Sequence, residues 1–288
     1  MVVFILASAA ELTEDFAAVE NHIRGLEKIV KLRGGVRALN THNNMQVKVC
    51  RADLSYALVS GQRPLLFKED ISWDVFIADR DLVQCNHQPH SSGLHIFLSN
   101  SADTRLHNAF RDLHSFSCIS NLAYQTTRKL SPEIYNDIMI SILYRLTNLS
   151  FESDIIQEAL RIGLLVVSST IFMQRLFMDH PYGHLLNLYR NALFNLHNAT
   201  SIALPVPVSL WMPMLFYVVA PEEAPSMNWL NTWVENIISS AGISSWTQAH
   251  EILKTIVWVD FVHDRLGEPA FEAAKLRLGT ANKIEALL

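Results

Sequence analysis

Apolar residues recur along this chain at steps of three and four, the spacing that places them on one face of a helix. Phe16, Val19, Ile23, Leu26, Val30 and Arg33 form the first such series, and Gly34 and Gly35 follow it. Glycine adopts the left-handed conformation that closes a helix without a Cβ clash, so the pair predicts a helix end. Val47, Cys50, Leu54 and Leu58 form the next face, stopped by Gly61 with Pro64 beyond, and the two helices are expected to pack as neighbours. Between Asp70 and Asp103 the pattern breaks at Pro89, Ser91, Ser92 and Gly93, which predicts a long irregular connection and a candidate partner-contacting segment.

Helical spacing resumes at Leu106, Phe110 and Leu113 and continues towards Leu130. Ser131, Pro132 and Glu133 supply an N-cap, a first-turn proline and an acid at the positive end of the helix dipole, opening a helix to about Leu149. Residues Ile155 to Phe177 are apolar nearly all round, as a helix enclosed by others must be, and Pro181 with Gly183 punctuates its end. Further helices are predicted at Leu185 to Ala199, Pro207 to Val219, Trp229 to Ser240, Trp246 to His263 and Pro269 to Arg277, with stops at Gly242 and Gly267. Ser245 and Gln248 form a capping box. No stretch alternates with period two long enough to require a strand. The expectation is an all-α chain, a single irregular multi-helix bundle of about ten helices spanning residues 1–288, with a possible division near 70–103.

Composition narrows the function classes. Half of the 288 residues are hydrophobic, enough for a sizeable core, and the formal net charge is −5. Lysine and arginine are scattered singly, without the clustering that phosphate-backbone binding requires, so direct nucleic-acid contact by this chain is not expected. The three cysteines, Cys50, Cys85 and Cys118, lie far apart and are odd in number, which fits a reducing compartment, nuclear or cytosolic. Val2 to Ala10 is apolar but lacks a basic flank and leads into a helical pattern, so it reads as a core helix rather than a signal peptide. Ile202 to Ala220 carries no charge, yet Pro213 stands mid-span and no basic flank marks a cytoplasmic side, so a buried, proline-bent core helix is expected there and not a membrane span. The triplets at Asn148 and Asn198 match the glycosylation pattern and carry no weight in a chain this rich in asparagine, serine and threonine.

A search for chemistry is mostly negative. Asn136 and Asp137 resemble the second metal motif of terpene cyclases, but the serine is one place late at Ser141 and Tyr144 stands where the final acid belongs. H-E-x-x-H, G-x-S-x-G, the phosphate loop and G-x-G-x-x-G are absent. Cys85, His87, His90 and His95 have ligand-like side chains, but one thiol with Pro89 among the imidazoles makes a poor zinc shell, and a solvated histidine-rich loop is the plainer reading. Trp211, Trp229, Trp233, Trp246 and Trp258 read as core and interface residues first and as a ligand pocket second. No catalytic, cofactor-binding or metal-ligating residue is therefore assigned, and no cofactor is expected.

Four segments in order resemble the fungus-specific regulatory domain that lies C-terminal to the zinc-cluster module of fungal transcription factors. His22, Gly25, Leu26, Ile29, Leu32, Arg33, Gly34, Gly35 and Leu39 resemble its "H-x-x-G-L … L-R-G-G" segment. Arg51, Asp53, Ala57, Gly61, Arg63 and Pro64 are similar to its "R-x-D … A … G-x-x-P" segment, and Glu158, Ala159, Arg161, Gly163 and Leu165 to its "E-A-x-R-x-G-x-L" helix. Trp258, Asp260 and Gly267 resemble its late "W-x-D" helix. Two departures stand out: Phe216 to Val219 replace a usual glycine pair, and the six-cysteine zinc-cluster module is not among these residues, as in a truncated product, a mis-assigned start or a stand-alone regulatory domain. The resemblance implies a nuclear regulatory domain that restrains or exposes activation functions through protein co-regulators or a small effector. The alternative is an all-α enzyme, or a cytoplasmic protein, whose site the sequence does not display.

Among the matched polar residues, Arg33, Arg51, Asp53, Glu158, Arg161 and Asp260 lie on or beside apolar faces. Charged groups so placed are buried only when partnered, so Asp53 and Glu158 are each expected to pair with an arginine of this set.

Overall fold

The computed structural model describes residues 2–13, 15–39, 45–67, 71–78, 103–126, 130–173, 182–199 and 203–285. Eleven α-helices run through them: α1 Val2–Leu12, α2 Phe16–Leu32, α3 Met45–Ser60, α4 Thr104–Gln125, α5 Pro132–Asn148, α6 Ile155–Phe172, α7 Gly183–Asn198, α8 Val206–Val219, α9 Asn228–Ser240, α10 Trp246–Lys254 and α11 Asp260–Glu285. Short 3-10 turns stand at Val36–Leu39 and Ala224–Ser226, and the described residues contain no strand. The fold is all-α, as the periodicity predicts.

Caps set most of the boundaries. Asp15, Asp103, Ser131, Asp154 and Ser245 each accept a backbone N–H of the first turn of the helix they precede. Gln248 reaches back to the N–H of Ser244 rather than of Ser245, a capping box displaced by one residue. Gly34, Gly35, Gly61 and Gly242 all have positive φ at the predicted stops.

Two helices hold the bundle together. The long apolar run forms α6, shorter than its pattern and ending at Phe172, and it packs against α4, α5, α7 and α8. Its length and composition would suffice to cross a bilayer, and 72% of that stretch is buried inside the protein. Helix α8 packs against α6, α7, α9, α10 and α11, with Val208 to Val218 buried and Pro213 inside it. Helices α1, α2 and α3 pack on one another, and α3 joins them to α5 and α7. The opening helix is only half a core helix: Ala7 and Ala10 are buried, whereas Val2, Ile5 and Leu6 are exposed.

The C-terminal boundaries differ from the sequence expectation. The predicted helix from Trp246 to His263 is two elements, because α10 ends at Lys254 and α11 begins only at Asp260. Ile256 to Val259 between them are fully buried without helical structure. Gly267 and Pro269, expected to stop one helix and begin another, both lie inside α11. Gly267 serves packing instead, since a Cβ there would come 2.6 Å from Cζ2 of the buried Trp258. Helix α4 stops at Gln125, short of Leu130. Of the irregular connection, residues 71–77 are described and carry no helix.

Candidate functional site

Buried polar side chains here mostly clasp loop backbone rather than each other. Glu158 bears out its predicted pairing: Arg161 donates from Nη2 to Oε1 at 2.5 Å and from Nε to Oε2 at 2.8 Å. The pair also ties α5 to α6, since Arg161 Nη1 donates to the carbonyl of Leu146 and the N–H of Phe151 donates to Glu158. Burial resists charge on Glu158, but Arg161 outweighs it and holds the carboxyl below its ordinary range.

Asp53 corrects the expectation. It is fully buried but meets no arginine; it accepts the N–H groups of Leu65 and Leu66 at 2.7 and 2.9 Å and the hydroxyl of Tyr144 at 2.7 Å. The loop after α3 has donors to satisfy, and two of them, joined by the Tyr144 hydroxyl of α5, solvate a carboxylate without a counter-ion. Burial still wins over these bonds and pushes Asp53 upward. Burial likewise raises the thiol of neighbouring Cys50 to about 12, which keeps it inert. Arg51, two residues along α3, points elsewhere and donates to the carbonyl of Phe172 at 2.8 Å. Arg33 is exposed at the end of α2.

The fully buried ion pair was missed by sequence reasoning. Arg145 of α5 donates to Asp112 of α4 at 2.5 Å, both side chains being inaccessible to solvent. Asp112 also accepts the N–H groups of Phe76, Ile77 and Ala78, and Arg145 donates to the carbonyl of Asp74, so the pair anchors residues 74–78 to the bundle. Both charges sit inside apolar helix faces, the same signal that singled out Asp53 and Glu158.

Residues 255–259 are clasped in the same way. His114 donates to the carbonyl of Ile256, Trp211 to that of Val257 and Asn121 to that of Trp258, while the N–H of Val259 donates to Nδ1 of His263. Asn121 also accepts the N–H of Asp260 at 2.9 Å. Burial, opposed by the fields of Asp264 and Asp260, pushes His263 down to about 3, so it is a neutral ring accepting from Val259 and facing Thr170.

The turn at 255–259 brings His250 of α10 against α11. Its Nε2 lies 3.1 Å from Asp260 Oδ1 and 3.3 Å from Asp264 Oδ1, and all three residues are partly buried. Burial disfavours charge on His250, but hydrogen bonds to the two carboxylates and their fields outweigh it and raise the ring to about 9. Asp260 is one of the matched polar residues of the sequence pattern, whereas no sequence signal singles out His250 or Asp264.

The tryptophans pack mainly in the core. Trp211 and Trp258 are fully buried, Trp229 and Trp233 pack on His197, and Trp246 packs on Trp258 and Phe271. Two grooves are lined by other residues. One of about 560 Å³ lies between α4, α5 and the start of α11, walled by Phe116, Ile119, Ala123, Tyr124, Tyr135 and Phe261. The exposed rings of Tyr124 and Phe261 stack at its rim, 5.4 Å apart. A smaller one of about 210 Å³ includes Gly61, Arg63, Arg161 and His184. Cys85, His87, His90 and His95 lie outside the described residues. In comparisons with known proteins, no family model, curated protein or solved structure matches this chain.

Proposed function

We propose that this chain is a transcription-regulator-like regulatory domain, nuclear, without a DNA-binding module among its residues, that responds to a small apolar effector held in the groove between α4, α5 and α11. One observation carries the reading: several residues of the family resemblance stand where this fold constrains backbone or side chain. Gly34, Gly35 and Gly61 have positive φ, and Gly163 and Gly267 lie under Trp211 and Trp258 where a Cβ would come within 3.0 and 2.6 Å. Glu158 and Arg161 lock α5 to α6, and Asp53 holds the loop after α3. Such positions within the pattern support a shared scaffold, and the regulatory role is inferred from it by analogy. The groove supports the effector, because about 560 Å³ of mainly aromatic and aliphatic wall suits a small apolar molecule.

Two measurements test it together. An anilinonaphthalene dye should bind the chain saturably, and Ala123→Trp, which fills the groove, should abolish that binding. Tethered to a heterologous DNA-binding module, the chain should change reporter output relative to the module alone. An inert tether would sink the regulatory role, and dye binding untouched by Ala123→Trp would sink the groove. The second reading, an all-α enzyme, is favoured by the cluster of His250, Asp260 and Asp264 alone. Substrate turnover by the purified chain that is lost in Asp264→Asn would establish it in place of the first.

A further inference from the structure

We propose that His250, Asp260 and Asp264 form a binding site for a divalent transition-metal ion of the zinc class, built across the junction of α10 and α11. Asp260 and Asp264 stand one turn apart on α11, so their carboxylates share a face, and the reversal at 255–259 delivers the imidazole of His250 to that face. The three ligand atoms lie within 4.8 Å of one another, with Nε2 at 3.1 and 3.3 Å from the two carboxylate oxygens. Ligands bound to zinc at about 2.0–2.1 Å in a tetrahedron are separated by about 3.3–3.4 Å, so an ion fits between the imidazole and either carboxylate with little movement. A rotation of one carboxylate brings the third ligand in.

The donor set selects the class of ion. One imidazole with two carboxylates is a borderline mixture that suits zinc and its neighbours, whereas calcium takes six to eight oxygens, which this site does not supply. Three protein ligands leave a coordination position for water or for a bound group. The cluster is reachable, since the side chains of His250, Asp260 and Asp264 are 16%, 16% and 32% exposed.

The surroundings hold the ligands in place, as outer-shell groups do in metal sites. The indole N–H of Trp258 donates to Asp264 Oδ1 at 2.7 Å, and the ring of Trp246 lies 5.4 Å from that of His250. Asn121 fixes the backbone on both sides, accepting from Asp260 N–H and donating to Trp258 O. The positive end of α11 works against a cation and weakens the site, while the charges of Asp260 and Asp264 work for it.

The experiment uses the full chain, stripped with a chelator and dialysed. Titrated with Co²⁺ it should develop the visible bands of a low-symmetry nitrogen–oxygen site, and Zn²⁺ should displace them with one ion bound per chain by calorimetry. His250→Ala and Asp264→Asn should each weaken Zn²⁺ binding by about tenfold or more, with circular dichroism unchanged. Asp264→Asn keeps an acceptor for the Trp258 indole and so guards against a variant that fails to fold. Absence of binding overturns the proposal. So does binding that both variants retain, whether or not it then vanishes on replacing Cys85, His87, His90 and His95, which would place the ion on that histidine-rich segment.

Discussion

At the scale of single residues, two glycines in helix interiors make opposite predictions. Glycine costs a helix about 0.5–1 kcal/mol relative to alanine, so a methyl group with room to stand should stabilise. Gly25 in α2 has nothing within 4 Å of its would-be Cβ, and Gly25→Ala should raise stability by about that amount. Gly267 in α11 faces Trp258, whose fully buried ring cannot retreat, so Gly267→Ala should lower stability by about 1–3 kcal/mol despite better helix propensity. Urea unfolding of both variants reads the two signs, and a stabilised Gly267→Ala would mean that the tryptophan yields. Histidines supply a second contrast. His250 binds its proton more tightly when folded, so its contribution is full below the ordinary value of 6.5 and is lost as pH rises through about 9. His263 must stay neutral when folded, so its contribution is present above 6.5 and is lost as pH falls towards about 3. With chelator present, these two groups together place a stability maximum near 6.5, and His250→Gln should flatten the alkaline limb. Stability that climbs from 6.5 to 9 in the native chain would contradict the ion pair at His250.

Elements show what the sequence could and could not disclose. Period, caps and glycine stops located α2, α3, α5 and α8 closely, because these boundaries are set locally by backbone chemistry. The break between α10 and α11 is set by distant side chains: His114, Trp211 and Asn121 satisfy the carbonyls of Ile256, Val257 and Trp258, and no local pattern at 255–259 shows that such partners exist. The candidate site was hidden for the same reason. On an unbroken helix His250 would stand about 15 Å from Asp260 along the axis, and only the reversal makes them neighbours. Asp112 and Arg145 were legible in principle, as charges within apolar faces, but their main partners are backbone groups of residues 74–78. Asp112→Ala should therefore cost about 3–5 kcal/mol, leaving Arg145 charged and unpaired in the core. The double variant Asp112→Ala with Arg145→Met should recover only part of this, since the N–H groups of residues 76–78 lose the carboxylate that accepts them. Full recovery in urea unfolding would show that the carboxylate serves the arginine alone.

For the whole molecule, the question is whether so long a chain unfolds in one step, since proteins of this size commonly populate intermediates. The arrangement of helices argues for one step. Buried residues from Ala7 in α1 to Ala274 in α11 form one continuous hydrophobic cluster. Helix α6 joins α4 and α5 to α7 and α8, and α8 joins these to α9, α10 and α11, so removing either half exposes an apolar face of the other. The tryptophans make the test sensitive. Trp211, Trp229, Trp233, Trp246 and Trp258 all lie in the C-terminal third, with only Trp73 elsewhere, whereas helical ellipticity reports helices along the whole chain. Were α1 to α3 to melt as a separate unit, ellipticity would fall before tryptophan emission shifted. Coincident urea transitions by the two probes are the expected result, and a lag between them would divide the chain into units that the shared core here binds together.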